Sequence, residues 1–181
     1  MNVTDFYREI YIPELNDIQQ EVLKLVPEKL LSYTNLTYIE NSKDVFLSIT
    51  KLSDFLKSKK IYDSVGSIAV NITTGQGSGN FHKDSGPFKH SLNIPIIGCD
   101  DTYINFFEVD NEHTVVNVDD QGKTHRFFRY TEDQCKLIYE AETSKPYLLG
   151  VKTPHRVINK SDQTRVMLLI RLFPRVNLEE L

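Results

Sequence analysis

Two periods of hydrophobic positions divide the chain. In "PELNDIQQEVLKLVPEKLLSY", Ile18, Val22, Leu25 and Val26 recur at helical spacing, and Pro13 and Glu14 suit a helix opening. Pro27 has no N–H to give and is expected to kink or end this helix, with a further turn in "EKLLSY". A second helix is predicted over "KLSDFLKSKK", where Leu52, Phe55 and Leu56 share one stripe. After about Tyr62 the period becomes two. "VGSIAVNIT" sets Ile68, Val70 and Ile72 against small or polar residues, the pattern of a half-buried strand. Short apolar or alternating runs follow: "KHSLNIPII", "YINFFEV", "HTVVNVDD", "THRFFRY", "CKLIYEA", "PYLLGVK", "HRVINK" and "TRVMLLIRLF". Turn-forming pieces such as "GCDD", "DDQGK" and "NKSDQ" separate them.

Short strands at this spacing predict an antiparallel sandwich or barrel, a jelly roll among the possibilities. With the opening helices covering one sheet, the fold class is α+β. No repeat or long Gly/Ser linker interrupts the chain, so residues 1–181 are expected to form a single domain. Residues 1–62 would be its mainly helical part and residues 63–175 its β core. The last strand fixes an orientation. Val166, Leu168, Ile170 and Leu172 fall on one face, and Arg165, Met167, Leu169 and Arg171 on the other. Both faces are largely apolar, as for a strand between helices and a barrel interior. Arg165 then points inward and needs an anionic partner.

Composition narrows the class of function. A chain of 181 residues, 40% hydrophobic and with net charge -4, is an ordinary globular one whose acidity argues against broad binding of nucleic-acid backbones. No apolar run is long enough to span a membrane. The first residues carry acids and no apolar segment, unlike an export signal, so a cytoplasmic protein is expected. Cys99 and Cys135 form no CxxC and read as reduced thiols.

The stretch "GSGNFHKDSGPFKH" carries the candidate chemistry. "GQGSG" follows a strand as a dinucleotide fingerprint would. The residues after it include Gly86 and Pro87, so no helix N-terminus is available to hold a phosphate. His82 and Asp84, two apart, point to one side of an extended chain and offer two metal ligands. An H-x-D is weak on its own. Near the C-terminus, "TPHRVINKSDQTRVMLLIRL" adds His155 and, ten residues on, the inward-facing Arg165. That supplies a distal histidine for a metal and a guanidinium fork for a carboxylate.

These segments, "HKD", "LNIPI", "TPHRVIN" and the arginine of "QTRVMLLIRL", resemble the 2-oxoglutarate- and Fe(II)-dependent dioxygenases over roughly residues 66–173. They are similar to short bacterial and phage members related to aspartyl/asparaginyl or prolyl hydroxylases. The resemblance implies a double-stranded β-helix (jelly-roll) core, with His82, Asp84 and His155 ligating Fe(II) and Arg165 holding the C5 carboxylate of 2-oxoglutarate. It implies oxidation of a substrate C–H bond with dioxygen, releasing succinate and CO2. Asp84 departs from the aspartyl/asparaginyl β-hydroxylases proper, which lack the carboxylate ligand, and its presence speaks against a halogenase. Asn93 and Ser91 on one strand, and Tyr103 with Asn105 on the next, are expected to line the pocket and help hold the cosubstrate. Arg171 is read as a rim or ion-pair residue and as the reserve anchor. His90, His113 and His125 are read as bystanders. The loops "TTGQGSGN" and "DDQGKTH" are expected at the mouth, and the substrate is left as an amino acid, a protein side chain or a small metabolite. The alternatives are a cupin-like metal protein that does not use 2-oxoglutarate and a non-catalytic jelly-roll binding protein.

Overall fold

All nine segments that run apolar or alternate after residue 62 are strands. A computed structural model of the chain describes residues 3, 6–28, 37–40, 43–84, 86–110, 114–118 and 124–174. In chain order the elements are β1 (Tyr7–Glu9), α1 (Leu15–Leu25), β2 (Thr37–Glu40), α2 (Lys43–Leu47), α3 (Thr50–Ser58), β3 (Val65–Thr73), β4 (His82–Lys83), β5 (His90–Ile97), β6 (Thr102–Val109), β7 (Thr114–Val118), β8 (Thr124–Arg129), β9 (Cys135–Glu142), β10 (Tyr147–Gly150), β11 (His155–Asn159) and β12 (Arg165–Leu172).

The strands form two six-stranded antiparallel sheets, ordered β1-β10-β5-β12-β3-β2 and β7-β8-β4-β11-β6-β9. From β3 to β6 and again from β9 to β12 the chain crosses from one sheet to the other at each connection. This is the jelly-roll arrangement, in which two sheets face each other and enclose an interior. One turn shows how the sequence makes such a corner. Gly98, in "GCDD" after β5, has φ +62, and a Cβ there would stand 2.2 Å from the Thr164 carbonyl oxygen, so only glycine lets the chain pass.

There are two cores. On the outer side of the first sheet, Ile18, Val22 and Leu56 from the helices pack with Val70, Leu92 and Leu168. Between the sheets, Phe6, Tyr7, Phe106, Tyr147 and Met167 form the second. The Phe6 and Phe106 rings lie 4.6 Å apart and Tyr7 stacks on Tyr147 at 5.3 Å. β12 divides its side chains between the two as its alternation predicts: Val166, Leu168, Ile170 and Leu172 join the helix side, while Met167 faces the other sheet.

The N-terminal part differs from the expectation in detail. α1 stops at Leu25 because Val26 precedes Pro27, which pushes it into extended backbone at φ -85 and ψ 115. The turn expected in "EKLLSY" lies, beyond Glu28, outside the described residues. Residues 1–62 also contribute β1 and β2, each at an edge of the first sheet. These strands, with α2 and β4, are two to five residues long, too short for a hydrophobic period to register. Among the described residues no helix is long and apolar enough to cross a membrane.

Candidate metal centre

In the second sheet β4 and β11 are neighbours, and their register sets His82 directly opposite His155. The two imidazole rings stand 4.5 Å apart. Two residues after His82, Asp84 returns to the same side, with Oδ1 3.6 Å from His82 Nε2. His82, Asp84 and His155 each offer one ligand atom within 4.8 Å of the others.

The outer ring nitrogens decide what the inner ones can do. His82 Nδ1 lies 2.8 Å from the Asn80 carbonyl oxygen, and His155 Nδ1 lies 2.7 Å from that of Thr153. A carbonyl only accepts, so each Nδ1 carries the hydrogen and each Nε2 presents a lone pair to the centre. Burial above all, with a smaller contribution from the neighbouring His82, holds the His155 pKa down at about 4, so this imidazole is neutral at physiological pH. Two imidazoles whose Nε2 atoms turn inward and one carboxylate on one side, with the other side open to a cavity, fit a divalent transition metal.

Ile104, Leu149, Val151, Val157 and Leu169 give that cavity apolar walls, and it opens to solvent. Arg165 reaches into it from the first sheet and is 1% exposed. Its Nη1 donates to Asn71 Oδ1 at 2.9 Å, a neutral acceptor, and its Nε has no hydrogen-bond partner. Tyr147 lines the same cavity, its buried hydroxyl close to Arg165 and Asn93 but in no well-formed hydrogen bond with either. Burial pushes that hydroxyl's pKa up, against the opposing pull of Arg165 and Asn93, so it stays protonated and able to donate. Ser91 Oγ donates to Asn93 Oδ1 at 2.6 Å, which leaves the Asn93 amide NH2 as a further donor. A buried cation with unpaired donors around it is arranged to receive an anion.

The structure thus brings His82, Asp84, His155, Arg165, Ser91 and Asn93 to one cavity. Tyr103 is a correction. On β6 the inward positions belong to Ile104 and Phe106, so Tyr103 turns outward and its ring lies 3.9 Å from Lys160 Nζ. Asn105, on Tyr103's face, likewise does not line the cavity. Arg171 lines it and stands 3.4 Å from Asp84 Oδ2, an ion pair as expected, although at the metal end and not the anchor end. His90 lies outside it. His113, the His125 side chain and most of "DDQGKTH" fall outside the described residues. From the other suspected loop, Gly79 reaches the cavity.

Sequence reasoning missed Asn71 and Tyr147. Asn71 carried a signal, since it is a polar residue in the interior of an apolar strand and such a group needs a partner. Tyr147 carried none, because a tyrosine in "PYLLG" reads as core.

No family model matches the chain, and no curated protein does. Solved structures do resemble it. AviO1 from Streptomyces viridochromogenes Tue57 matches with a TM-score of 0.54 and 10% identity, over 96% of this chain and 92% of that one. A Pseudomonas putida prolyl-4-hydroxylase matches with a TM-score of 0.50 and 10% identity, over 95% and 94%. The shared property is the fold. A prolyl hydroxylase from Trichoplax adhaerens, solved with a hypoxia inducible factor peptide fragment, matches at 0.50 with 13% identity over 94% and 84%. These jelly rolls and the present chain agree in architecture across almost their whole lengths.

Proposed function

We propose that the protein is an Fe(II)- and 2-oxoglutarate-dependent dioxygenase that hydroxylates an amino acid, a protein side chain or a small metabolite. The observation that carries this reading is Arg165, a guanidinium 1% exposed, with a neutral side-chain partner and an unpaired Nε, in the same cavity as His82, Asp84 and His155. A cupin-like metal protein has no need of a buried cation there. A dicarboxylate with one end at the metal supplies the missing anion with the other. Two prolyl hydroxylases among the structures of like fold agree with the reading.

Each residue then has a task. His82 Nε2, His155 Nε2 and an Asp84 oxygen hold the metal. Arg165 binds the far carboxylate of 2-oxoglutarate with charge-assisted hydrogen bonds, and the Tyr147 hydroxyl and Asn93 amide stand as further donors. Asn71 fixes the guanidinium from behind. The apolar walls exclude water and strengthen those bonds. Bound there, Fe(II) supplies the dioxygen chemistry that converts 2-oxoglutarate, O2 and a substrate C–H into succinate, CO2 and C–OH. The chain contributes geometry, charge and dryness.

Anaerobic protein loaded with Fe(II) should develop a visible charge-transfer band when 2-oxoglutarate is added, and His82→Ala should abolish it. Well-folded protein that binds Fe(II) and shows no such band would sink the 2-oxoglutarate reading and favour the cupin-like one.

A further inference from the structure

Asp84 is the one ligand that its own sheet does not hold. β4 ends at Lys83, so Asp84 has left the ladder that positions His82. Other contacts take over. The Asp84 N–H donates to the Val151 carbonyl at 2.9 Å. Lys152, the next residue, sends its ammonium to the carbonyl oxygens of Asp84 and Gly86 at 2.9 and 2.8 Å. Gly86 has φ +98, so the chain turns sharply there, and the lysine bridges the carbonyls on either side of that bend. From β12, Arg171 Nη2 approaches Asp84 Oδ2 at 3.4 Å. The other oxygen, Oδ1, is the one beside His82 Nε2.

We propose that Arg171 and Lys152 form a cationic clamp that presents Asp84 to the metal through Oδ1 alone. The inference rests on the metal-centre reading above. Arg171 sets its guanidinium beside the far oxygen, so the carboxylate meets the ion with one oxygen and one orientation. Lys152 fixes the backbone from which that carboxylate hangs. Both are positioning residues: neither has an atom that ligates the ion. The clamp also joins the sheets, since the ligand follows a strand of one and Arg171 belongs to the other.

Calorimetric titration of Co(II) into the metal-free full chain tests this without turnover. Arg171→Gln should weaken Co(II) binding by about 10- to 100-fold, the usual effect of removing a group that orients a ligand. Arg171→Lys should fall between it and the wild type, and Lys152→Met should weaken binding by up to about tenfold. Melting of each metal-free variant supplies the control, because loss of the clamp acts on affinity and not on folding. Arg171→Gln within about twofold of a wild type that binds Co(II) overturns the clamp and leaves the metal centre standing. Should Arg171→Gln fail to fold, Arg171→Lys and Lys152→Met decide, and both lying within twofold of wild type overturns it. A wild type that binds no Co(II) overturns both readings.

Discussion

Both faces of β12 carry fully buried residues, and they do opposite things. On one, Leu168 and Ile170 are 0% exposed and meet other apolar side chains from the helices and neighbouring strands. On the other, Arg165 is 1% exposed and meets Asn71 and the cavity. Burial alone therefore does not tell a core from a site. The satisfaction of polar groups does, because a buried donor without a partner costs free energy that a core position has no reason to bear.

Exchanging the chemistry on each face breaks the comparison most directly. Arg165→Met removes a buried charge that lacks an anionic partner. Metal-free stability should stay level or rise, while affinity for 2-oxoglutarate falls about 30-fold or more, as for loss of one member of a desolvated charge pair. Leu168→Ala should do the reverse: it costs about 2–5 kcal/mol of stability and leaves the folded fraction binding 2-oxoglutarate as before. Thermal melts and titration of the charge-transfer band read the two quantities separately. Arg165→Met protein that unfolds, or that binds 2-oxoglutarate within about threefold of wild type, would mean that the arginine is structural.

Acid should separate the faces next, since only the cavity side titrates. The folded pKa of His155 is about 4, below its ordinary 6.5, because burial opposes the charged ring. The unfolded chain therefore takes up the proton first. Stability of metal-free protein is full above about pH 6.5 and declines as pH falls toward 4, by at most about 3 kcal/mol from this group. Denaturant titrations at a series of pH values measure the slope, and His155→Gln should flatten it. An unchanged slope in that variant would assign the acid sensitivity elsewhere.

How much the sequence revealed follows the same division. The helix-facing residues of β12 and β3 were readable because alternation is a two-residue pattern that any core strand repeats. Arg165 was readable for the same reason in reverse, as a charge on an inward position. His82, Asp84 and His155 were readable as residue types in order, but the pairing of β4 with β11 that sets the histidines opposite was not. β4 is too short to show a period, and register is a long-range property. Tyr103 was misplaced because β6 is apolar on both faces, so alternation there gave two phases and no way to choose. Arg171 stands about six residues, or ~20 Å, along the strand from Arg165 and was read as an ion pair. Its partner, Asp84, comes from the other sheet, which no local pattern discloses.

The smallest expected effects set two tyrosines against each other. Tyr147→Phe removes one donor beside Arg165, and a neutral hydrogen bond contributes about 0.5–1.5 kcal/mol, so 2-oxoglutarate affinity should fall about three- to tenfold. Metal-free stability should change little, because the lost hydroxyl makes no well-formed hydrogen bond. Tyr103→Phe alters a hydroxyl on the far side of β6, and affinity should stay within about twofold. Both side chains are strand tyrosines, and the direction in which each points distinguishes them. Equal effects from the two, measured on the same charge-transfer band, would show that the cavity does not end where its lining residues say it does. A loss confined to Tyr147→Phe would place the carboxylate's seat between Tyr147 and Arg165, on the face of β12 that the helices never touch.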